Sequence, residues 1–158
     1  MSRCRHLVIG ITNFEPATSH PDDPAAPHRT HPADNPFTYY ERYCMVRDSL
    51  LEEGLDPSRF DIVPFPIEEP WKITNYTPAD ALYFISIYDD WGRKKHQTLQ
   101  ALGLRTEILY ERPPEEKKIC STHIRSLIRE GTDWRQLVPP AVYKYIREHS
   151  LEERIRQT

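Results

Sequence analysis

The segment Ile119-Cys120-Ser121-Thr122-His123-Ile124-Arg125 carries the densest chemistry in the sequence. Two hydroxyls fall at an expected helix start, beside first-turn N–H groups that have no carbonyl partner inside a helix, and Arg125 follows one turn later. Those N–H groups, the helix dipole and a guanidinium together make an anion site suited to a phosphate. An ordinary Ser or Thr cap with a solvated arginine accounts for the same residues. In Asn35-Pro36-Phe37-Thr38-Tyr39-Tyr40-Glu41-Arg42, Thr38 and Glu41 have the spacing of a capping box, and Phe37 can staple the entry. Arg42 then sits in a first turn, where the dipole disfavours a cation, which points to another partner such as a phosphate or a carboxylate.

Asp89-Asp90-Trp91-Gly92-Arg93-Lys94-Lys95 follows the most apolar run of the chain, the place from which substrate groups come in parallel sheets. Trp91 could stack on a base and the cations could meet phosphates; a solvated helix start, with Trp91 covering the core, explains them equally. His20, Asp22, Asp23, His28 and His31 match no zinc spacing and lie in a stretch broken by proline, so no metal site is expected there. Cys44 and Cys120 have no sequence-local base and read as packing residues. Neither G-x-G-x-x-G nor a Walker sequence occurs, so phosphate chemistry must come from these other groups.

The elements that must position these residues alternate. Residues 6–12 are β-branched without polar alternation, as in a strand buried on both faces. The six prolines between Phe14 and Pro36 exclude regular structure there and make a long loop, of the kind that is functional or mobile. Residues 37–53 read as a helix with Tyr40, Tyr43, Cys44, Arg47, Leu50 and Leu51 on one side, stopped by Gly54. Residues 60–65 are a strand that Pro64 places at an end or an edge, and residues 81–88 are a buried strand. A helix over 92–102, a strand over 105–109, a helix over 122–130 capped by Ser121 or Thr122, and a helix over 140–149 with proline in its first turn complete the pattern. Strands separated by helices mean βαβ units and a mostly parallel α/β sheet in one domain over residues 1–158.

The 158 residues carry 21 Lys and Arg against 24 Asp and Glu, a net charge of −3 that gives no footprint for nucleic acid. Three widely spaced cysteines argue against a disulfide framework or a structural zinc. No apolar run approaches the ~18 residues of a membrane span, so a soluble, cytoplasmic protein without membrane contact is expected.

Taken in order, Asn35-Pro36-Phe37-Thr38 with Glu41-Arg42, then Ser121-Thr122-His123-Ile124-Arg125, then Trp134-Arg135-Gln136-Leu137-Val138-Pro139 with Ala141-Val142 resemble the archaeal-type nicotinamide-nucleotide adenylyltransferases of the HIGH nucleotidyltransferase superfamily. The resemblance runs from about His6 to the C-terminus and implies a Rossmann-like fold. It also implies nucleotidyl transfer from ATP with Mg²⁺ to a small phosphate substrate, nicotinamide mononucleotide by default, with release of pyrophosphate. By resemblance Arg125 and Thr122 are catalytic. Gly10, Ile11, Ser121, Thr122, Ile124 and Arg125 bind nucleotide, and His31, Arg42, Asp89 and Trp91 bind the second substrate. The departures are specific. The 158 residues contain no H-x-G-H, and the strand over 6–12 looks like the family's second, so the expectation is a sheet lacking its first βα unit, with a gap and apolar edges. Cys120 replaces a frequent serine, Asp34 stands at a position often basic, and the loop from Phe14 to Pro32 is longer. The last two weigh against nicotinamide mononucleotide as acceptor. Adenylyl or cytidylyl transfer to another phosphate or phosphonate, and a non-catalytic nucleotide-binding module, stand beside the default, and self-association is left open.

Overall fold

In the computed structural model, which describes residues 4–14, 35–117 and 119–157, the apolar runs form two pairs of parallel strands. Strand β1 (Leu7–Ile11) pairs with β2 (Phe60–Pro64), Leu7 opposite Phe60 and Ile11 opposite Pro64. Helix α1 (Tyr39–Glu52) lies between them in sequence. Strand β3 (Leu82–Ile87) pairs with β4 (Arg105–Glu111) through helix α2 (Asp90–Ala101), with a register irregularity after Ile85. Each pair is a strand–helix–strand unit, since parallel neighbours need a crossover long enough to return the chain. Pro64, which has no N–H, ends its strand, and the ladder goes on one residue further with Phe65 N–H donating to the Ile11 carbonyl at 2.9 Å. Among the described residues β1 and β3 each pair on one edge only, so the strands form two halves. Phe65 and Tyr83 bridge the halves with ring centroids 6.3 Å apart.

Three more helices follow, α3 (Ser121–Glu130), α4 (Pro140–Glu148) and α5 (Leu151–Gln157): α4 packs on α1, and α5 on α3 and α4. Met45, Ile128, Trp134, Ile146, Leu151 and Ile155 form one buried cluster there, flanked by Phe37 and Ile124. A second cluster, Ile73, Ile85, Ile87 and Leu99, sits between β3, α2 and a 3₁₀ turn over Pro70–Asn75. No described helix is long and apolar enough to cross a membrane.

The structure corrects four expectations. β1 is not buried on both faces: only Ile11 is fully buried, because the strand has one neighbour instead of two. The buried residues of α1 are Cys44 and Met45, while Tyr40 stays 66% exposed and Leu51 41%. Tyr40 and Tyr43 instead stack on each other, ring centroids 6.2 Å apart and planes nearly parallel. β4 runs two residues beyond Leu109. Helix α5 was not expected at all: its apolar residues are only Leu151 and Ile155 among charges, and its side chains reach far along the chain. The loop residues 15–34, with the His20, Asp22, Asp23, His28, His31 and Asp34 readings, lie outside the described residues.

The capping box forms as the spacing requires. Glu41 N–H donates to Thr38 Oγ1 at 3.2 Å, and Thr38 N–H donates to the Glu41 carboxylate at 2.7 Å. Arg154 of α5 then grips that carboxylate with both terminal nitrogens, at 2.7 and 2.9 Å, and also donates to the Pro36 carbonyl at 3.0 Å. Burial pushes the Glu41 pKa up, but the Arg154 fork and the Thr38 N–H outweigh it and hold the group below the usual carboxylate range. A glycine is required at position 10 for a different reason. A Cβ there would lie 2.8 Å from Cβ of Phe65, so the ring can lie over β1 only because Gly10 has no side chain.

Two outcomes follow for stability. Glu41→Gln loses about 1–3 kcal/mol at pH 7. Because the folded pKa of Glu41 is depressed, the wild-type advantage is complete above the unfolded value near ~4.3 and is lost as pH falls through the folded value. Urea melts of both proteins between pH 7 and pH 3 check this, and an advantage that grows on acidification contradicts it. Gly10→Val forces Phe65 off β1 and costs about 1–3 kcal/mol by the same melts; unchanged stability would show that the ring moves freely.

Candidate functional site

Helix α3 begins without the cap that its sequence offers. Cys120, with extended backbone at φ −134° and ψ 152°, is the capping residue and makes no side-chain hydrogen bond to the helix. Ser121 and Thr122 are therefore the first two helical residues, not the cap. The extended conformation a cap requires falls one residue earlier, and their hydroxyls stand exposed on the first turn. The outcome is a helix N-terminus with its donors unfilled by any cap side chain, which is the condition for anion binding. Arg125 is buried to 8% exposure and turns back along the helix, Nη2 donating to Thr122 Oγ1 at 3.3 Å. Ile124, Leu127 and Ile128 face the helical cluster and fix this orientation, so the Ile124 side chain serves packing.

At the end of β1, Ile11 is buried and Gly10 lies under Phe65. Arg42 reaches this point from α1: its Nη1 donates to the Thr12 carbonyl at 2.7 Å and its Nη2 to the Asn13 carbonyl. The other partner that its position on the helix calls for is thus a pair of backbone oxygens.

At the end of β3, Asp89 caps α2, its carboxylate accepting from Gly92 N–H at 2.8 Å, so the helix starts at Asp90 and not at Gly92. Trp91 is half-buried with Lys95 Nζ 4.9 Å from its ring centroid. Tyr88, Asp89, Asp90, Arg93, Glu111 and Arg112, with the Pro113-Pro114 turn, line an open cleft of about 490 Å³ at the carboxyl ends of β3 and β4. Arg93 ties Asp90 at 2.9 Å to Glu111 at 2.6 Å. Tyr88 and Tyr110 meet edge to face at 5.5 Å, with Arg112 over one ring and Lys117 over the other. Hydrogen bonds from Ser86 and Tyr88 hold the Tyr110 hydroxyl below its usual range. Aromatic faces beside charges of both signs, beyond the carboxyl ends of parallel strands, suit a polar ligand with a ring, such as a nucleoside.

Side-chain contacts gather the expected residues into three groups: Thr122 with Arg125, Arg42 with the end of β1, and Asp89 in the cleft. His31 lies outside the described residues. Glu111 and Arg112 were not anticipated, because β4 ends later than its apolar pattern. The signal that finds them is their position just past a strand. Arg125→Lys, which loses the planar fork, weakens binding of inorganic pyrophosphate to the chain by about tenfold. Isothermal titration measures this, and equal affinity would take Arg125 out of the anion site.

The chain is 46% identical over 154 residues to a phosphonoformate cytidylyltransferase of Streptomyces viridochromogenes, an alignment covering 98% of this chain and 82% of that protein. It is 35% identical over 135 residues to a nicotinamide-nucleotide adenylyltransferase of Saccharolobus solfataricus, covering 81% and 73%. It is 32% identical over 130 residues to a nicotinamide-nucleotide adenylyltransferase of Methanothrix thermoacetophila, covering 80% and 72%. No protein-family model matches the chain. The two parallel strand–helix–strand halves are consistent with the Rossmann-like fold of nucleotidyltransferases. With fold, order of motifs and sequence in agreement, the chain belongs to the nucleotidyltransferase family that includes phosphonoformate cytidylyltransferase and the archaeal nicotinamide-nucleotide adenylyltransferases.

Proposed function

We propose that the chain transfers a cytidylyl group from CTP, taken up as its magnesium complex, to a small phosphonate of the phosphonoformate type. The observation that carries this reading is the 46% identity, over nearly the whole chain, to a phosphonoformate cytidylyltransferase, against 35% to the Saccharolobus adenylyltransferase. A phosphonate oxygen attacks the α-phosphorus of CTP, a P–O bond forms, and the bond from the α-phosphorus to the bridging oxygen breaks. Pyrophosphate leaves with that electron pair, and no covalent enzyme intermediate is needed. Rate enhancement then comes from positioning and charge neutralisation.

In this reading the first turn of α3, with Thr122 and Arg125, holds the phosphates, the cleft beside Tyr88, Asp89 and Glu111 takes the nucleoside, and the carboxyl end of β1, at Gly10 and Ile11, borders the nucleotide. Among the described residues no three His, Cys, Asp or Glu side chains form a metal cluster. The magnesium of this reading enters with the nucleotide substrate, and no step is assigned to a protein-held ion.

Adenylyl transfer from ATP to nicotinamide mononucleotide is the second reading, favoured by the archaeal relatives. Pyrophosphate release, followed with CTP or ATP against phosphonoformate or nicotinamide mononucleotide, separates the two. The expected result is kcat/KM at least about tenfold higher for CTP with phosphonoformate than for any other pair, a discrimination of about 1.4 kcal/mol. Preference for ATP with nicotinamide mononucleotide would overturn the first reading in favour of the second.

A further inference from the structure

Arg42 is held where a cation is least favoured. It lies in the first turn of α1, at the positive end of the helix dipole, and burial lowers its pKa. No carboxylate pairs with it among the described residues, and its Nε is buried without a partner. What it does hold is the backbone leaving β1, through the carbonyls of Thr12 and Asn13. Asn13 has φ +48°, a left-handed conformation that few residues other than glycine adopt. A trans peptide is planar, so with both carbonyls turned toward the guanidinium the N–H groups of the same two peptide units face away from it.

We propose that Arg42 is a positioning residue for the transfer reaction: its fork over two successive carbonyls locks the left-handed turn at Asn13 and so sets the strand end, at Gly10 and Ile11, that borders the nucleotide in the reading above. This rests on the nucleotidyl-transfer reading above. A planar fork can hold two oxygens at once and an ammonium cannot, so charge alone does not replace it. The consequence falls on nucleotide binding before it falls on chemistry, because Arg42 turns toward the backbone and not toward the substrate.

The test uses the full chain and steady-state pyrophosphate release with CTP. Arg42→Lys and Arg42→Gln each raise KM for CTP by about tenfold with kcat within about threefold, and lysine gives no rescue. Asn13→Val, with Arg42 intact, reproduces the KM rise because a β-branched residue resists φ +48°. Asn13→Gly added to Arg42→Lys recovers part of the affinity, since glycine takes the turn unaided. The Asn13 variants keep the proposal open to refutation if an Arg42 variant fails to fold by circular dichroism. Wild-type KM in Arg42→Lys, or in Asn13→Val, overturns the positioning role while leaving the transfer reading intact. A wild-type chain that turns over neither CTP nor ATP overturns both.

Discussion

The fork of Arg154 on Glu41 joins α5 to the start of α1. One carboxylate, on the first turn of α1, satisfies the Thr38 N–H and receives both terminal nitrogens of an arginine 113 residues away. The same arginine takes the Pro36 carbonyl, so the entry to α1 cannot rotate without breaking three bonds. The next residue, Arg42, points round the helix to the end of β1. Residues 41 and 42 thus transmit the placement of the C-terminal helix to the strand end at which the proposed ligand sits. Reciprocal arginines secure the other side of α5: Arg129 donates to the Ile155 carbonyl at 3.2 Å, and Arg156 to the Ile128 carbonyl at 3.3 Å. Both carbonyls lie in the last turn of their helices, and that of Ile128 also accepts from the Gly131 N–H at 3.2 Å.

This bracing matters because the sheet contributes less than its strand count suggests. With β1 and β3 paired on one edge each, no ladder of hydrogen bonds joins the two pairs among the described residues. The halves meet through side chains, Phe65 on Tyr83, and Phe65 reaches that position by lying over Gly10. The two apolar clusters are correspondingly separate, one around the helices and one behind β3. Each half therefore presents its own strand ends, and the chemistry is divided the same way: a backbone turn held by Arg42 in one, an aromatic and charged cleft in the other.

What the sequence reveals depends on how local the cause is. The capping box at Thr38 and Glu41 is legible because both partners lie within one turn, and so is the grouping of Thr122 with Arg125. The four strands are legible because β-branched runs between breakers have few alternatives. The cap of α3 is not, because Ser121 and Thr122 look like caps by type while the backbone conformation that decides it belongs to Cys120. Helix α5 is hidden for a stronger reason: two apolar residues four apart carry almost no periodic signal, and the arginines that hold the helix find partners on α1 and α3. Glu111 and Arg112 enter the cleft only because β4 pairs with β3 to its last residue. The partner of Arg42 lies 30 residues upstream, so composition and spacing reveal that it needs one and not which it takes.

The account stands on a nucleotide bound by the first turn of α3 and the cleft at the ends of β3 and β4. Titration of the ¹⁵N-labelled chain with magnesium–CTP, read by amide chemical shifts, tests that directly. Saturable shifts concentrated at Ser121 to Arg125, at Tyr88 to Asp90 and at Gly10 to Asn13 are the predicted result. Saturable shifts confined to α4 and α5, or no saturable response, would contradict it.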